Sequence, residues 1–318
     1  MTIKKIIRRA EFFIAQFPLI PSYLYIFYTK RNQKDVFKTL RQKCLQYYDS
    51  VADKEIFEFL THTWKDYDRS IKEIIFPQPR FSFLLHRIIR ESMFAVSGGK
   101  WVAEPIKFIE GLIPKARLGE ILQEDYIGFP ILINATWHTS QNTIHSFYHL
   151  MKFQKETGVA VETFNTIIEW GGGYGNMAKI VKRMAPHITY IIIDLPSVSC
   201  LQWLYLATIF GENSVNMVYS PEIKIKEGKI NLLPLCFLKQ YRLDADFFIA
   251  MWSLSESSKN AQDYVSMHDF FGAKHLLLGC QESGPAFPWA QDIGKIAVKR
   301  GAIIQPMDFM PGSSYIFQ

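Results

Sequence analysis

The chain has 318 residues, of which 48% are hydrophobic and 21% are charged. This balance is typical of a folded protein and excludes a disordered one, and the length suffices for two domains. The net charge of +6 is modest. It suits an acidic ligand or a membrane surface better than nucleic acid, so we expect no nucleic-acid partner.

The cysteine pattern bears on the compartment. Four cysteines lie far apart in the sequence, at Cys44, Cys200, Cys236 and Cys280. They form no C-x-x-C pair, which favours free thiols in a reducing compartment and argues against a zinc site. We therefore expect a cytoplasmic protein.

Residues 1–31 combine basic and apolar character. Apolar residues recur at helical spacing from Ile3 to Phe17. The opposite face carries Lys4, Lys5, Arg8 and Arg9. Pro18 and Pro21 interrupt the uncharged run that follows, and no cleavage site suggests a secretory signal. Two interpretations stay open: a helix packed on its own protein, and a basic amphipathic segment resting on an anionic membrane.

Residues 32–125 show helical spacing of apolar residues and carry no nucleotide-binding motif. We expect helices over 35–48, 52–67 and 80–97. Ser50 would precede and cap the second helix, and Gly98-Gly99 would end the third. The pattern predicts a mainly α-helical cap or substrate domain over residues 1–155.

A histidine-rich segment precedes the second half of the chain. Thr139 or Ser140 could cap a helix that carries His145 and His149 on one face. Such an i, i+4 pair can bind a metal, but no carboxylate stands nearby and we expect no metal site. His138, in the turn before this helix, is the better candidate for chemistry, with a structural hydrogen bond as the alternative.

The most informative stretch is 164–176. A β-branched run ends in Glu169 and is followed by four glycines within five positions. This predicts a buried strand, a tight turn and a helix over 177–184. Gly171, Gly173 and Gly175 would bring the backbone close to a ligand, at the positive end of the helix. A nucleotide-like ligand is implied.

From residue 164 onward, predicted strands alternate with helices. Further strands are expected at 189–194, 215–219, 247–252 and 274–279, and a terminal hairpin over 302–307 and 314–317. The segment 230–238 is apolar and is expected to end in a loop. Helices are expected over 197–210, with Pro196 in the first turn and Gly211 at the end, and over 289–300. The fold class is therefore α/β: a Rossmann-like, seven-stranded, mostly parallel sheet with helices on both faces, over residues 156–318.

The spacing Glu-x-Gly-x-Gly-x-Gly, with Asp194 ending the next strand, resembles the first two motifs of class I S-adenosylmethionine-dependent methyltransferases. A dinucleotide fingerprint would need a glycine where Asn176 stands. The resemblance implies S-adenosylmethionine as cofactor and S-adenosylhomocysteine as product. It also implies that the glycine turn passes under the methionine part and that Asp194 accepts hydrogen bonds from the ribose hydroxyls. Seven strands ending in a hairpin agree with that family.

The same resemblance implies further roles. Glu169 would order the turn and the cofactor's amino group, and Leu195 follows the ribose acid. Leu235 and Cys236 would bracket the adenine, although the acid often found there is missing. Trp252 and Ser253 would border the sulfonium.

A narrower resemblance concerns the acceptor. Asp194-Leu195-Pro196 and the run Trp-Ser-Leu-Ser-Glu over 252–256 are similar to sugar O-methyltransferases of bacterial surface-polysaccharide clusters. This implies a hydroxyl of a sugar or glycan, lipid-linked or free, as acceptor. Three alternatives stay open: a methyltransferase for phenols or polyketides, a non-catalytic binding module, and a nicotinamide oxidoreductase.

Methyl transfer to an alcohol requires removal of its proton. The candidates for the general base are Glu256 and His138, with Glu282, behind the fifth strand, as the third. For Glu256 the alternative is a cap on the helix that begins nearby.

Overall fold

The structure is a computed structural model that describes residues 16–54, 56–93 and 101–318. Its α-helices are α1 (Ile20–Lys30), α2 (Gln33–Val51), α3 (His62–Ile74), α4 (Arg87–Ser92), α5 (Ala103–Leu112), α6 (Lys115–Leu122), α7 (Gln141–Thr157), α8 (Asn176–Met184), α9 (Pro196–Phe210), α10 (Lys259–Met267) and α11 (Asp292–Lys299). Its strands are β1 (Leu132–Asn134), β2 (Thr139–Ser140), β3 (Thr166–Trp170), β4 (Thr189–Asp194), β5 (Val215–Met217), β6 (Ile230–Pro234), β7 (Phe247–Met251), β8 (His275–Gln281), β9 (Ile303–Pro306) and β10 (Ser313–Phe317).

The large sheet has the order β5-β6-β4-β3-β7-β8-β10-β9. β3 to β8 pair in parallel, and β10 runs antiparallel to both β8 and β9. The chain moves outward from β3 through β4 and returns on the other side at β7. The crevice between β3 and β7 is therefore the point where an open α/β sheet binds its ligand.

The predicted fold class and the terminal hairpin are confirmed, but the described residues form a sheet of eight strands instead of seven. The apolar segment 230–238, which was expected to end in a loop, begins with β6, and this strand pairs with β4. All of its residues are buried, as expected for a parallel strand covered on both faces. The predicted third strand, β5, lies outside it at the sheet edge.

The helical part differs from its prediction in detail. α2 extends to Val51, so Ser50 lies inside it and donates to the Gln46 carbonyl rather than capping a helix. The second helix was predicted wrongly, because the chain turns after α2 and α3 begins only at His62. Of the third, predicted over 80–97, the described residues form a 3-10 turn, Phe83–Leu85, and α4, which His86 caps. Residues 94–97 and Gly98-Gly99 lie outside the described residues.

The uncharged run after residue 12 enters a 3-10 turn, Phe17–Leu19, and then α1. Pro21 stands in the first turn of α1, where no backbone N–H is needed, so it starts the helix instead of breaking it. No helix in the ranges that the structure describes is long and apolar enough to cross a membrane. The basic residues of the predicted amphipathic segment lie outside the described residues.

The helical part and the sheet share one hydrophobic core. α2 packs on α9, where the Tyr47 and Trp203 rings meet edge to face at 4.9 Å and the Cys44 thiol donates to the Cys200 carbonyl. α7 runs across the expected domain boundary at 155/156. That boundary stays a prediction.

A buried polar network joins the helical part to α8. Lys179 Nζ lies 2.8 Å from Glu124 Oε2, and neither side chain is exposed by more than 1%. Beside them, Arg183 pairs with Asp125 at 2.6 Å. The Ser140 hydroxyl donates to Glu124 and, as the N-cap of α7, accepts from the backbone as predicted. The network fixes α8, which begins at the glycine turn.

Candidate active site

A cavity of about 520 Å³ opens at the carboxyl ends of β3, β4 and β7, roofed by α3 and α7. It brings together many of the residues selected from the sequence: Glu169, Gly171, Gly173, Asp194, Leu195, Leu235, Trp252, Ser253 and Glu256. These residues come from four separate strand ends. Their meeting follows from the parallel sheet, since the carboxyl ends of its strands share one edge.

The glycine turn needs its glycines for two physical reasons. Gly171 has φ 71°, and a Cβ there would collide with the Cβ of Ser253. Gly175 has φ 94°, and a Cβ there would lie 2.9 Å from Leu206 Cδ1. Both conformations are strained for other residues. Gly171 and Gly173 line the cavity, whereas Gly175 lies outside its lining and begins α8.

Asp194 is buried at the end of β4 and faces the cavity. Its Oδ1 accepts from the Leu195 backbone N–H at 2.8 Å, and its Oδ2 accepts from Gln202 Nε2 at 2.7 Å. Gln202 Nε2 also donates to the Gly173 carbonyl at 2.8 Å, so one amide joins the acid to the turn. Burial raises the pKa of Asp194 to about 7, although its hydrogen bonds oppose the rise. The Gly172 backbone N–H also donates to this carboxylate, so three donors leave one of its roughly four lone-pair sites for a ligand hydroxyl.

Glu169 is the second buried acid of the cavity. Tyr190 donates its hydroxyl to Glu169 Oε2 at 2.9 Å. Burial, with a smaller contribution from Asp194, raises the pKa of Glu169 to about 8. At neutral pH this carboxyl is mostly protonated and can donate or accept a hydrogen bond.

Trp252 lies directly beyond β7 in a strained conformation, with φ 62°. Its N–H donates to the Gly279 carbonyl at 2.8 Å, and its indole N–H donates to Ser313 Oγ at 3.3 Å. The next residue, Ser253, donates its hydroxyl to the Trp170 carbonyl beside the glycine turn. Residues held at positive φ cluster at functional sites, and Trp252 lines this cavity.

Glu256 lies in the turn between β7 and α10 and lines the cavity below α3. Trp64 donates its indole N–H to Glu256 Oε2 at 3.2 Å. Burial raises the pKa of Glu256 to about 7. The cap of α10 is Ser258, which accepts from the Ala261 N–H, so Glu256 does not fill that role.

The structure does not bring His138 to the cavity. Its ring stacks on Tyr25 at 4.5 Å, and its Nδ1 lies 2.9 Å from Ser22 Oγ, both on α1. The turn between β1 and β2 carries His138 and packs against α1, which directs the ring away from the sheet. These contacts agree with a structural hydrogen bond, which was the alternative role for His138.

Glu282 and Cys236 also lie outside the cavity lining. Glu282 is exposed beyond β8 and donates its N–H to the Gly312 carbonyl, whereas the preceding Gln281 lines the cavity. Cys236 follows Leu235 but turns away from the lining, and burial raises the pKa of its thiol to about 11. Leu235 alone of the expected adenine pair reaches the cavity.

Two cavity residues on α7 were not selected as active-site candidates from the sequence. His145 and His149 are both buried and line the cavity from above. The signal for this was the composition of α7, which places apolar or aromatic residues such as Phe147 and Leu150 on every face, as in a buried helix. Within the described ranges, no group of three or more His, Cys, Asp or Glu side chains could hold a metal ion.

No family model matches this sequence, and no curated protein sequence matches it. Solved structures do match. Mitomycin 7-O-methyltransferase MmcR is 12% identical with a TM-score of 0.37, over 55% of this chain and 55% of that one. Human N-acetylserotonin methyltransferase is 13% identical with a TM-score of 0.35, over 92% and 96%. Magnesium protoporphyrin IX methyltransferase from Synechocystis is 11% identical with a TM-score of 0.37, over 54% and 82%.

The chain thus matches about half the length of the mitomycin enzyme. A likeness this distant decides neither fold nor chemistry. The fold rests on the sheet order given above, and the chemistry has to be argued from the cavity.

Proposed function

We propose that the chain is an S-adenosylmethionine-dependent methyltransferase that acts on a hydroxyl of a small molecule. One observation supports this most strongly. In a single cavity, an open glycine turn after β3 faces a buried acid at the end of β4, and Gln202 joins the two.

The residues present fit that cofactor. The lone pair of Asp194 that stays open would accept a ribose hydroxyl, and Leu195 and Leu235 offer apolar walls to the adenine. Glu169 lies below the turn, where the amino acid end would bind. The indole of Trp252 would face the sulfonium, because an aromatic face attracts a cation. The cofactor would supply a methyl group on positively charged sulfur.

For the acceptor we propose a flat phenol or a polyketide-type hydroxyl. The cavity lining includes large apolar side chains from several parts of the chain: Leu60, Trp64, Tyr67, Phe287 and Met310. Such walls favour a planar apolar molecule. A sugar or glycan, lipid-linked or free, is the second candidate, supported by the polar groups of Gln281, Ser313 and Glu256 in the same lining.

Ligand binding tests the cofactor. S-adenosylhomocysteine should raise the Tm and bind in calorimetry, because a ligand that binds only the native state stabilises it. NAD should do neither. Asp194→Ala should abolish the shift, and the surface variant Asp263→Ala should leave it intact. A shift with NAD and none with S-adenosylhomocysteine would exclude the methyltransferase.

Methyl transfer tests the acceptor. Full-length protein with radiolabelled S-adenosylmethionine is offered catechol, 4-methylumbelliferone, methyl glucosides and short glycans. We expect label on the phenols. Label on a glycan alone would replace the phenol proposal by the sugar one. Cofactor binding without transfer to any acceptor would support a non-catalytic module.

We also propose that α1 rests on an anionic membrane, at the cytoplasmic face. The exposed apolar side chains of α1 and of the 3-10 turn before it, here called the α1 apolar face, are Phe17, Ile20, Leu24, Phe27 and Tyr28. Lys30 and Arg31 follow this face, and the sequence places Lys4, Lys5, Arg8 and Arg9 before it. An apolar face flanked by cations is typical of interfacial helices.

Vesicle flotation tests the membrane proposal. The full chain should float with vesicles of phosphatidylserine and phosphatidylcholine and not with phosphatidylcholine alone. A Leu24→Ser, Phe27→Ser double variant should lose flotation. Met267→Ser removes an apolar side chain that is 77% exposed elsewhere and should not change flotation. Equal absence of binding by all three proteins would refute the proposal.

A further inference from the structure

A histidine, a tyrosine and a tryptophan from three parts of the chain meet at the cavity. His149 Nδ1, on α7, lies 2.7 Å from Tyr315 Oη, on β10. The His149 ring meets that of Trp252 nearly edge-on, with 5.5 Å between centroids. His149 and Trp252 both line the cavity, so an acceptor bound beside Trp252 would also lie beside this imidazole.

The two ring nitrogens of His149 differ in their contacts. Nδ1 is taken by Tyr315, and among the residues that the structure describes none bonds to Nε2. In the other histidine of the pair, His145 Nε2 lies 2.8 Å from the Trp101 carbonyl and must donate its proton there, so the lone pair is on Nδ1. Among the described residues, each α7 histidine thus keeps one ring nitrogen without a bonded partner, and the His149 ring is the one that contacts Trp252.

Burial also keeps this imidazole neutral. His149 is only 3% exposed, and desolvation, with a smaller contribution from His145, lowers its pKa well below 6.5. The titratable groups in contact with it are His145, Tyr148 and Tyr315. Asp308 and Glu104 act on those tyrosines, and Glu169 and Glu256 line the same cavity. Burial raises the pKa of Tyr315, so that its hydroxyl stays protonated. A neutral imidazole has the lone pair that a base needs.

We propose that His149 is the general base of the reaction and that Tyr315 is its positioning residue. This rests on the proposed function. This role requires the tautomer in which Nδ1–H donates to Tyr315 Oη, because only that tautomer leaves the lone pair on Nε2. The acceptor oxygen forms its bond to the methyl carbon while the carbon–sulfur bond breaks, and the electron pair stays on sulfur as a neutral thioether. The acceptor's proton passes to Nε2 as the oxygen becomes positive, and the imidazolium later releases it to water.

The pH dependence of kcat distinguishes His149 from Glu256 as the general base. A base with the lowered pKa of His149 gives a rate that falls only below pH 6.5. If Glu256 were the base, the fall would begin near its pKa of about 7. The position of the acidic fall in kcat thus separates the two residues.

The kinetic test uses the full chain and the acceptor that the wild-type protein methylates. His149→Gln should lower kcat by about 10²-fold or more and remove the acidic fall, with S-adenosylhomocysteine affinity unchanged. Tyr315→Phe should shift the acidic fall, because its partner nitrogen is no longer held. His275→Gln, a histidine at the far end of β8, should match wild type. A kcat for His149→Gln within threefold of wild type overturns the proposal, as does an acidic fall that only Glu256→Gln removes.

A second measurement does not need turnover. Nitrogen-15 NMR of the S-adenosylhomocysteine complex should show His149 neutral at pH 7 with its proton on Nδ1. A proton on Nε2 would make His149 a donor and overturn the proposal. Failure of the wild-type chain to bind S-adenosylhomocysteine would instead contradict the proposed function itself.

Discussion

At the scale of single residues, the cavity is governed by buried acids whose pKa values lie near neutrality. Burial raises the pKa of Asp194 to about 7 and that of Glu169 to about 8. Ligand hydroxyls that donate to Asp194 stabilise its ionised form. Binding therefore has to release a proton wherever Asp194 starts out protonated.

This predicts a pH-dependent affinity. The dissociation constant for S-adenosylhomocysteine should fall as pH rises from 6 to 8, by up to about tenfold per pH unit below 7, and then level off. Calorimetry in buffers of different ionisation heat should detect a released proton. Asp194→Asn should bind weakly with no pH slope in this window, whereas Asp263→Asn should behave as wild type. Affinity that weakens from pH 6 to 8 would contradict the role of Asp194.

Residue-scale features were predictable from sequence where the cause is local. Gly171 and Asp194 stand out because a turn and a strand end impose their own chemistry on a few consecutive positions. The base was not predictable in this way. His138 and His149 both flank or occupy α7, and only the packing of α7 on β10 shows that one faces the cavity and the other faces α1.

At the scale of elements, α8 carries the glycine turn at its start and a buried ion pair on its side. Lys179 pairs with Glu124, which also accepts from the Ser140 and Thr143 hydroxyls. Glu124 precedes β1 in the helical part, so the pair crosses between the two parts of the chain. A pair this deeply buried is costly to leave half-made.

Breaking that pair should destabilise the protein strongly. Lys179→Met should lower the free energy of unfolding by about 3–5 kcal/mol, because the Glu124 carboxylate would stay buried without its partner. Urea denaturation measures the loss, and Lys38→Met, which breaks the exposed pair with Asp35, should leave stability unchanged.

A double variant, Lys179→Met with Glu124→Leu, should recover part of the loss because it removes the orphaned charge. No difference between the Lys179 and Lys38 variants would show that the buried pair is not needed for stability.

The sequence analysis did not predict β6 as a strand, and this error has a physical cause. β6 is five residues long, fully buried and followed at once by a 3-10 helix over Leu235–Gln240. A short apolar run of this kind shows no alternation, so periodicity cannot separate a strand from the start of a loop. Only its pairing with β4 assigns it to the sheet.

At the scale of the whole molecule, the helical part buries one side of α9, a helix of the sheet half. Every residue of α9 from Pro196 to Thr208 is buried. The strands β4, β5 and β6 provide part of this cover. The remaining cover comes from α2 and α3. The two parts are expected to fold as one unit.

We therefore expect one cooperative unfolding transition for the full chain. Tryptophan fluorescence and far-ultraviolet circular dichroism should give the same urea midpoint. A fragment of residues 156–318 should be insoluble or lack a cooperative transition, since it exposes the α2-facing side of α9. A soluble fragment that unfolds cooperatively and binds S-adenosylhomocysteine would show two independent domains instead.

Gln202 gives this shared architecture a further consequence. Its amide holds the Gly173 carbonyl and the Asp194 carboxylate together from within α9, the helix that α2 covers. Substitutions in the α2–α9 contact should therefore change the affinity for the ligand, although these residues do not contact the ligand. Among homologous chains, the acid at 194 and the amide at 202 should then be exchanged together, as a linked pair under one selective pressure.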